Sequence, residues 1–548
     1  MKFIAKIVGF FLLFTLFTLS ALSQSKDSGD VILKAVQDEM SRTMEDLKFK
    51  EFKKPYFVEY TVEDEDNLEI ESKYGAIISS KRRNNRTLYT QLRVGDYEFD
   101  NIGTYAGGFK FPLPMAIDDD YDSIRRSVWF ATDFAYKLAI NQLAAREAAK
   151  KDGEGEEEDD EDVPSFSKTT PVVSIEKPAK IEIDQAKWEK QVREWSKILV
   201  SYPELRESSI SFYVRHSNRY LINSEGTRIV KPQLLITLNV YAKAVTSDNL
   251  RLTPSRHIYA KEFDEFPTSE EIDKTIKDLA TDLIAISKAP QFNEKYIGPA
   301  LFTDRAAIQL FHQLLSGNLE RGGLAERLGR KVLPSFLSVT DDPTISNIGD
   351  YRLLGDYKID DEGVPAKPLK LIENGVLKTL LTTRTPTKDV PESNGRARSG
   401  GDGSTMASIS NLIIKSSSEH TFAELKQQLI DACKTQGLTY GILFREIDST
   451  FAPGGGQLSV PILAYKVYVE DGREELITGS SVVDYSVREL RNILAAGNDA
   501  YPFSILVGNG HQGEGVPVSI VAPSVLVEEI YLRKNSGDKE SPMVLTRP

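Results

Sequence analysis

The sequence predicts an α+β protein, with a mixed helix and antiparallel-strand N-terminal domain. The C-terminal domain is predicted to be mainly antiparallel β, barrel-like, with inserted helices. In the first half, segments with apolar residues at helical spacing are interspersed with segments that alternate polar and apolar residues. In the second half, strand-length runs are separated by turns such as Asn374-Gly375 and Asp471-Gly472. A length of 548 residues favours at least two domains.

The first part is predicted to begin with a helix over residues 31–47, because apolar side chains recur there at helical spacing. The segments PYFVEYTVEDE and GAIISSKRRNNRTLYTQLRV then alternate as strands do. A helix in QAKWEKQVREWSKILVSYP precedes a hairpin that turns at Ser224-Glu225-Gly226. A further helix, with Ser269 as its expected cap, completes this α+β arrangement at about Lys295.

A domain boundary is predicted near Tyr296, where a helix-rich segment ends and a strand-then-helix unit begins. We therefore expect a signal peptide at 1–23, an N-terminal domain at 24–295 and a C-terminal domain at 296–548. An acidic insertion, KKDGEGEEEDDED at 150–162, interrupts the N-terminal domain. Its charges repel one another and cannot pack, so a solvated loop is expected rather than a calcium site.

The chain begins with the features of a secretory signal. Lys2 and Lys6 precede an apolar run over residues 7–22, and the small residues Ala21 and Ser23 suit a signal peptidase. An uncleaved membrane anchor is the alternative, but it needs about 20 apolar residues. No later run is long enough to cross a bilayer. We expect an exported protein, periplasmic or extracellular, with no stable membrane insertion after cleavage.

Charge and cysteine content exclude two classes of protein. The net charge is −13, with 81 acidic against 68 basic residues, which argues against a nucleic-acid partner because phosphate binding needs clustered Lys and Arg. Cys433 is the single cysteine, so an internal disulfide cannot form. It lies in the helical pattern LKQQLIDACKTQG, where a small buried residue is expected.

The second domain is predicted to contain two helical inserts between its strands. TFAELKQQLIDACKTQG begins with Thr421 three residues before Glu424, which is the spacing of a capping box. SVRELRNILAAGND is the second expected insert. Earlier in this domain, YIGPALFTDRAAIQLFHQLL predicts a strand followed by a helix that contains His312 among apolar and amide side chains.

Several phrases of the second domain point to a known family. In order, they are IGPALF, KVLPSFLSVTDDPT, DDEGVP, LIENGVLKTLLTTR, SNGRARSG, SISNLIIKSS and GEGVPVSIVAPSVLVEEIYL. Together they resemble the TldD/PmbA family, whose members include zinc metallopeptidases and their metal-free partner subunits. The resemblance covers roughly residues 296–534 and, more faintly, the NRYLINSEGT hairpin. The acidic insertion and the extra helices of the first domain lie outside it.

The resemblance also implies where a metal site would lie. The peptidase branch has H-E-x-x-x-H on a helix and a cysteine on a loop before the last strands, which supply zinc ligands and a general base. These positions fall on His312, Gln313, Gly317 and, near the loop, Asn509. Glutamine cannot accept a proton from water, glycine offers no ligand, and asparagine replaces thiolate poorly. The implied site is degenerate, so no metal ligand or catalytic residue is predicted with it, although His511 lies nearby.

Taken alone, His312 is also compatible with a core histidine in an ordinary helix. Arg396 and Arg398, in the glycine-rich phrase SNGRARSGG, are candidates to bind a peptide carboxylate or its backbone carbonyls. A flexible solvated loop is the competing interpretation. The phrase at Asp341-Asp342 is expected to end a strand in a turn. The phrase at Asp360-Asp361 is expected to form a turn between strands, with lining of the cleft as the alternative.

Three functions remain open from the sequence. The resemblance is closer to the metal-free PmbA-like subunit, which implies a non-catalytic, cofactor-free part of a peptidase for unfolded peptides, paired with a TldD-like metal-bearing subunit or with itself. An active metallopeptidase would need zinc at an altered site around His312, Asn509 and His511. The third possibility is a stand-alone peptide-binding or envelope structural protein that has lost both the chemistry and the partner.

Overall fold

The computed structural model describes residues 29–103, 110–152, 163–320, 322–400, 403–448, 458–508, 515–535, 537, 539–541 and 545. The expected signal peptide, the acidic insertion beyond residue 152, and the positions Asn509 and His511 lie outside the described residues. Across the described ranges, none of the helices combines the length and the apolar character needed to cross a bilayer.

Helices are distributed over both halves of the chain. They are α1 (Val31–Asp46), α2 (Tyr121–Asp152), α3 (Gln185–Ile198), α4 (Ser269–Lys288), α5 (Asp304–Phe311), α6 (Gly317–Glu320) and α7 (Phe422–Thr435). A π-helical turn, His312–Ser316, joins α5 to α6 without a break. Single 3₁₀ turns occupy Leu199–Ser201, Ala325–Arg327 and Val487–Asn492.

The first half forms one mixed sheet around four long strands. Its strands are β1 (Pro55–Lys73), β2 (Ala76–Val94), β3 (Phe111–Pro114), β4 (Val173–Ile175), β5 (Glu207–Asn223), β6 (Arg228–Val245), β7 (Arg251–Leu252) and β8 (Ser255–Ala260). The spatial order is β3-β2-β1-β5-β6-β4, and β7 and β8 also pair with β6. The β1–β2 hairpin turns at Tyr74 and Gly75, which both have positive φ, and the β5–β6 hairpin turns at the predicted residues 224–226.

The two faces of this sheet differ in chemistry because successive strand residues point to opposite sides. On β1, Tyr60 and Val62 pack in the core under α1 and α2, and Leu68 and Ile70 pack in the core under α3 and α4. The intervening odd-numbered residues of β1 are mostly acidic or amide side chains on the opposite face. One face of the sheet therefore carries the helices, and the other is polar.

The second half contains two large sheets. Its strands are β9 (Tyr296–Phe302), β10 (Leu337–Asp341), β11 (Asn347–Ile348), β12 (Tyr351–Arg352), β13 (Leu369–Glu373), β14 (Val376–Leu377), β15 (Ala397–Ser399), β16 (Thr405–Ala407), β17 (Asn411–Ser416), β18 (Glu419–His420), β19 (Tyr440–Ile447), β20 (Pro461–Tyr468), β21 (Glu474–Ile477), β22 (Ser480–Val483), β23 (Ile493–Gly497), β24 (Tyr501–Val507), β25 (Val516–Ala522) and β26 (Val525–Lys534). The sheet orders are β14-β13-β10-β17-β25-β24 and β18-β23-β26-β9-β19-β20-β21. Helix α5 contacts β24 and β25 of one sheet and β9 and β19 of the other.

The predicted α+β class is confirmed, and most strand pairs are antiparallel. Parallel pairs also occur, such as β9 with β19 and β17 with β25. The strands of the first sheet all lie before residue 261 and those of the second half begin at Tyr296, while the domain boundary itself stays a prediction. Cys433 is buried in α7, as expected.

Three local expectations need correction. Thr268, not Ser269, caps α4, because the Thr268 side chain accepts from the Glu271 amide while Glu271 bonds back to it. SVRELRNILAAGND forms a 3₁₀ turn and then strand β23 instead of a helix. Helix α2 was not among the predicted elements; its buried face includes several alanines, and aromatic residues such as Trp129 and Phe130 are exposed, which weakens the apolar periodicity.

Candidate functional site

The helix that carries the family's metal-ligand positions is almost entirely enclosed. It follows strand β9, and Asp304 at its first position has φ +49°, which turns the chain sharply into α5. Ile308, Phe311, Leu314 and Leu315 are each 0% exposed. Most of its side chains are buried, because the helix is packed between the two sheets of the second half.

His312 lies at the start of the π-helical turn. Its Nδ1 atom is 3.1 Å from the Ser316 hydroxyl oxygen, and the Ser316 hydroxyl donates to the His312 carbonyl. Since that hydroxyl hydrogen is already used, the arrangement favours a proton on Nδ1, donated to Ser316. Burial lowers the pKa of His312 to about 4, so the imidazole is neutral near pH 7.

Gln313 occupies the general-base position implied by the resemblance, and its amide is fully engaged. Its Nε2 group donates to the Gln309 side-chain oxygen at 3.1 Å and to the Asp448 carbonyl at 2.9 Å. Its Oε1 atom accepts from the Ser459 amide at 2.7 Å. Asp448 and Ser459 flank the segment between β19 and β20, so Gln313 fastens both ends of that segment to the helix.

Gly317, at the second histidine position of the motif, faces open space. A Cβ atom built there would meet nothing within 4 Å. Among the described residues, no three His, Cys, Asp or Glu side chains lie close enough together to hold a metal ion. The described part of the site therefore does not fit a catalytic zinc ion, which needs three protein ligands and an open position.

Arg396, the first of the two substrate-binding candidates, is 0% exposed. Its guanidinium pairs with Asp341 and donates to the carbonyls of Asn394, Gly395, Asp341 and Lys367. Asp341 in turn accepts from the Ser410 amide and hydroxyl. The Arg396 guanidinium is thus taken up by contacts that hold the loops of this domain together.

Arg398, the second candidate, has a different environment. It stacks over the Tyr357 ring, 4.6 Å from the centroid, and its Nε atom is 3.6 Å from the Asp361 carboxylate. Its Nη1 atom is buried without a hydrogen-bond partner among the described residues. Peptide binding by either arginine stays a prediction, and Arg398 is the one with a donor to offer.

Asp341 ends strand β10, and the phrase at residues 360–363 forms a turn, both as expected. Asp360 Oδ1 accepts from the amides of Glu362 and Val364, and Oδ2 accepts from the Ala397 amide. Burial, reinforced by the Glu362 carboxylate, raises the pKa of Asp360 to about 8. Gly363 completes this turn with φ +85°, which is readily available only to glycine. The turn brings Asp361 next to Arg398.

Two cavities lie on the polar face of the first sheet. The strand cavity, of about 540 Å³, is lined by β1, β2 and β5 and by residues 399, 400 and 403 of the second half. The interdomain cavity, of about 520 Å³, lies between β5 and β6 on one side and residues 356–361, 398–399 and 515–517 on the other. Both are large enough for several side chains of an extended peptide.

The interdomain cavity contains a concentration of cations. Arg219 on β5 and Lys231 on β6 are direct partners in the antiparallel register, and Arg398 approaches from the second half. Burial alone would raise the pKa of Asp361, but Arg219 and Arg398 outweigh it and hold this pKa at about 2. Burial lowers the pKa of Lys231, an effect that Asp361 partly offsets.

Arg219 and Lys231 were not among the predicted site residues. Their sequence signal is present, because both are cationic residues within strands that are otherwise strongly apolar or amide-bearing, RYLIN and IVKPQLLITL. A basic side chain inside such a strand calls for a counter-charge. For Arg219 the counter-charges are Glu63 at 3.0 Å and Asp361 at 3.7 Å, both from distant parts of the chain, which the sequence pattern alone does not reveal.

Known proteins resemble this chain in sequence and in fold. Residues 293–534 match the model of the PmbA/TldA metallopeptidase C-terminal domain. A metalloprotease of Methanothermobacter thermautotrophicus is 26% identical over 330 residues, which cover 58% of this chain and 68% of the relative. A metalloprotease of Archaeoglobus fulgidus is 27% identical over 221 residues, covering 40% of this chain and 47% of that protein.

Two solved structures share the fold over most of their length. TldE from Thermococcus kodakarensis is 13% identical, with a TM-score of 0.58, and the match covers 91% of this chain and 100% of that one. A protein described as a putative modulator of a DNA gyrase from Thermotoga maritima is 16% identical, with a TM-score of 0.56 and coverage of 87% and 96%. At such low identity these matches establish the fold and nothing more.

Proposed function

Because this chain belongs, through its C-terminal domain, to the TldD/PmbA family, we propose that it is an exported, non-catalytic member that binds unfolded peptides for a metal-bearing partner subunit. The observation that carries this proposal is Gln313. At the position where the peptidase branch has its general base, this chain has an amide that bonds to Gln309, to the Asp448 carbonyl after β19 and to the Ser459 amide before β20.

The loss of chemistry extends beyond one residue. An amide nitrogen and oxygen cannot take a proton from a metal-bound water at neutral pH. Gly317 supplies no ligand, and the open space above it shows that the backbone leaves room for a side chain that the sequence does not provide. His312 alone falls short of the three protein ligands of a catalytic zinc site.

Peptide binding is supported by the cavities. Both are lined by polar and charged strand residues, and the interdomain cavity adds apolar side chains from β5 and β6. Sites of this size with a few oriented charges suit an extended ligand better than a compact folded one. An unfolded peptide can reach them without the cost of opening a folded domain.

Metal content and peptide turnover test the proposal directly. We expect the mature chain, purified without chelators, to contain much less than one zinc per molecule by elemental analysis. It should bind an unstructured fluorescent peptide without cleaving it. A stoichiometric zinc that is lost in His312→Ala, together with hydrolysis, would establish an active metallopeptidase instead.

A matched variant makes this test sharper. The double substitution Gln313→Glu and Gly317→His restores the family motif on the same helix. We expect it to retain more zinc than the wild-type chain, because imidazoles at positions 312 and 317 would lie about one turn of the π-helix apart and could bind the same ion. Equal zinc content in both proteins would show that these two positions do not decide metal binding.

Export and pairing need separate experiments. Mass spectrometry of the protein from its native cells should find a mature N-terminus near residue 24 if the signal is cleaved as proposed. Mixing the mature chain with a family member that carries H-E-x-x-x-H should yield a complex by light scattering and stimulate peptide hydrolysis. Absence of both effects would favour a stand-alone binding or structural protein.

A further inference from the structure

The interdomain cavity contains a cluster of three cations around one carboxylate. Asp361 Oδ1 lies 3.7 Å from Arg219 Nη1, and Asp361 Oδ2 lies 3.6 Å from Arg398 Nε. Lys231 also lines the cavity, and no ion pair to it is formed by the described residues. Arg219 has a second partner in Glu63 at 3.0 Å, and burial raises the pKa of that carboxyl group.

This arrangement is costly in the absence of a further anion. Arg219 and Lys231 are directly opposite each other on β5 and β6, and like charges in such pairs destabilise a sheet. Arg398 adds a third positive charge, with its side chain only 12% exposed. The buried Nη1 atom of Arg398 has no acceptor among the described residues, and an unmade hydrogen bond of this kind destabilises the folded chain.

The edge of β6 beside these charges is open. Strand β4 pairs with β6 at residues 228–230, and β8 pairs with it at residues 236–241. Between them, residues 231–235 have no strand on that edge among the described residues, and all five line the interdomain cavity. An extended peptide can therefore add to the sheet at this gap by main-chain hydrogen bonds.

The direction of the backbone groups on this edge follows from its neighbours. The Arg228 amide donates to the Val172 carbonyl, and the Val230 carbonyl accepts from the Glu176 amide. The backbone N–H and C=O groups of even-numbered β6 residues therefore point away from β5, toward this edge. By the same alternation, Leu234 offers both an N–H and a C=O, and Pro232 offers a C=O. The proline lacks an N–H, which also limits uncontrolled pairing at this edge.

From these contacts we propose that the interdomain cavity binds an extended peptide along residues 231–235 of β6, with a carboxylate of the peptide held by Lys231 and Arg398. The proposal rests on the proposed peptide-binding function and specifies its ligand chemistry. A carboxylate supplies two acceptors in a plane, which suits the guanidinium of Arg398. The carboxylate can come from the peptide C-terminus or from an acidic side chain.

Fluorescence anisotropy with paired peptides tests the proposal on the full mature chain. One short unstructured peptide with neutral side chains ends in a free carboxylate, and its twin ends in an amide. We expect amidation to weaken binding by about 10- to 100-fold, as loss of a charged hydrogen-bonded contact does. A third peptide, amidated but with glutamate as its last residue, distinguishes a side-chain carboxylate from a terminal one: binding as tight as that of the free acid would support a side-chain source.

Variants locate the contact. Lys231→Gln and Arg398→Gln should each weaken binding of the free-acid peptide by about 10-fold. Neither variant should change the affinity for the amidated peptide. Lys274→Gln, on the solvent side of α4, is the matched control and should change neither affinity. Circular dichroism verifies folding, and Lys231→Gln decides the question by itself if Arg398→Gln does not fold.

Two results would overturn the inference, and they are distinct. Equal affinity for the free-acid, amidated and glutamate peptides would remove the carboxylate site while peptide binding itself survives. Failure of every peptide to bind the wild-type chain would remove the proposed peptide-binding function, and this inference with it.

Discussion

His312 and Gln313 differ from the interdomain cavity in how their polar groups are used. On the helix, the Gln313 amide and the His312 Nδ1 atom all find partners within the protein. In the cavity, Arg398 Nη1 is buried without an acceptor and Lys231 forms no ion pair with the described residues. In the first region the polar groups bond within the protein, and in the second they remain available to a ligand.

This difference supports the proposed binding role of the cavity. A buried polar group is normally satisfied, so one that is not marks either strain or a place for a ligand. By that criterion His312 and Gln313 belong to the core, and the cavity between the two halves is the better candidate for the proposed binding site. Each of the following variants tests one side of that comparison.

The largest effect is expected from Arg396→Met. It would leave the Asp341 carboxylate, which is 0% exposed, without its cation. Breaking a buried ion pair on one side costs about 3–5 kcal/mol. Urea unfolding should show the loss as a lower midpoint with an unchanged m-value.

Arg398→Gln is the internal control for that experiment, because it lies two residues away in the same segment. Its nearest carboxylate, Asp361, is 3.6 Å from Nε and keeps a contact with Arg219. We expect a clearly smaller loss than for Arg396→Met, because the carboxylate contact of Arg398 is long and Asp361 keeps Arg219 as a partner. Similar losses for both arginines would erase the distinction between a structural and an available guanidinium.

Gln313→Glu should have the next largest effect on stability. The new carboxylate would face the Asp448 carbonyl, which now accepts from Gln313, and would be buried without a cation among the described residues. The unmade hydrogen bond and the desolvated charge together cost about 2–3 kcal/mol at pH 7. The variant should recover relative to wild type as the pH falls, because protonation restores a donor.

Gln427→Glu on the exposed face of α7 is the control, with an expected change within about 0.5 kcal/mol. Thermal unfolding of both variants at pH 7 and pH 5 separates the two expectations. A Gln313→Glu protein as stable as wild type at pH 7 would mean that the hydrogen bonds of the Gln313 amide do not stabilise the fold. It would also mean that the site accommodates a carboxylate.

The elements of the fold that the sequence predicts correctly are those that depend on short stretches of the chain. The β5–β6 turn, the Thr421 capping box of α7 and the strand-then-helix unit at Tyr296 were all predicted, because each depends on residues within a few positions of one another. Helix α2 was missed because its small and aromatic residues blur the periodicity on which the prediction depends.

The candidate site is predictable only in part, for a different reason. The positions of Gln313 and Gly317 follow from the resemblance, but the partners that hold the Gln313 amide come from the ends of β19 and β20. The cavity joins Arg219, Lys231 and Asp361 from three separate segments. Such long-range pairing depends on the packing of the two halves and leaves no periodic trace in the sequence.

His312 should contribute a pH-dependent part of the stability. Its pKa of about 4 lies below the ordinary value of 6.5, so the unfolded chain binds this proton more tightly than the folded one. The contribution is fully present above pH 6.5 and is lost as the pH falls toward 4. Relative to His312→Gln, the wild-type chain should lose about 2 kcal/mol over that range. Parallel stability curves for the two proteins would show that His312 is well solvated.

The smallest effect is expected at Gly317, and its sign is informative. Gly317 has helical angles, φ −60° and ψ −27°, and a Cβ would meet nothing within 4 Å. Gly317→Ala should therefore raise the melting temperature slightly, with a gain of about 0.4–1 kcal/mol from the lower entropy of the unfolded chain. Gly375→Ala is the matched opposite, because Gly375 has φ +79° and its Cβ would lie 2.2 Å from the Leu333 carbonyl oxygen. Stabilisation at Gly317 with destabilisation at Gly375 would show that the backbone at position 317, unlike that at position 375, tolerates a side chain.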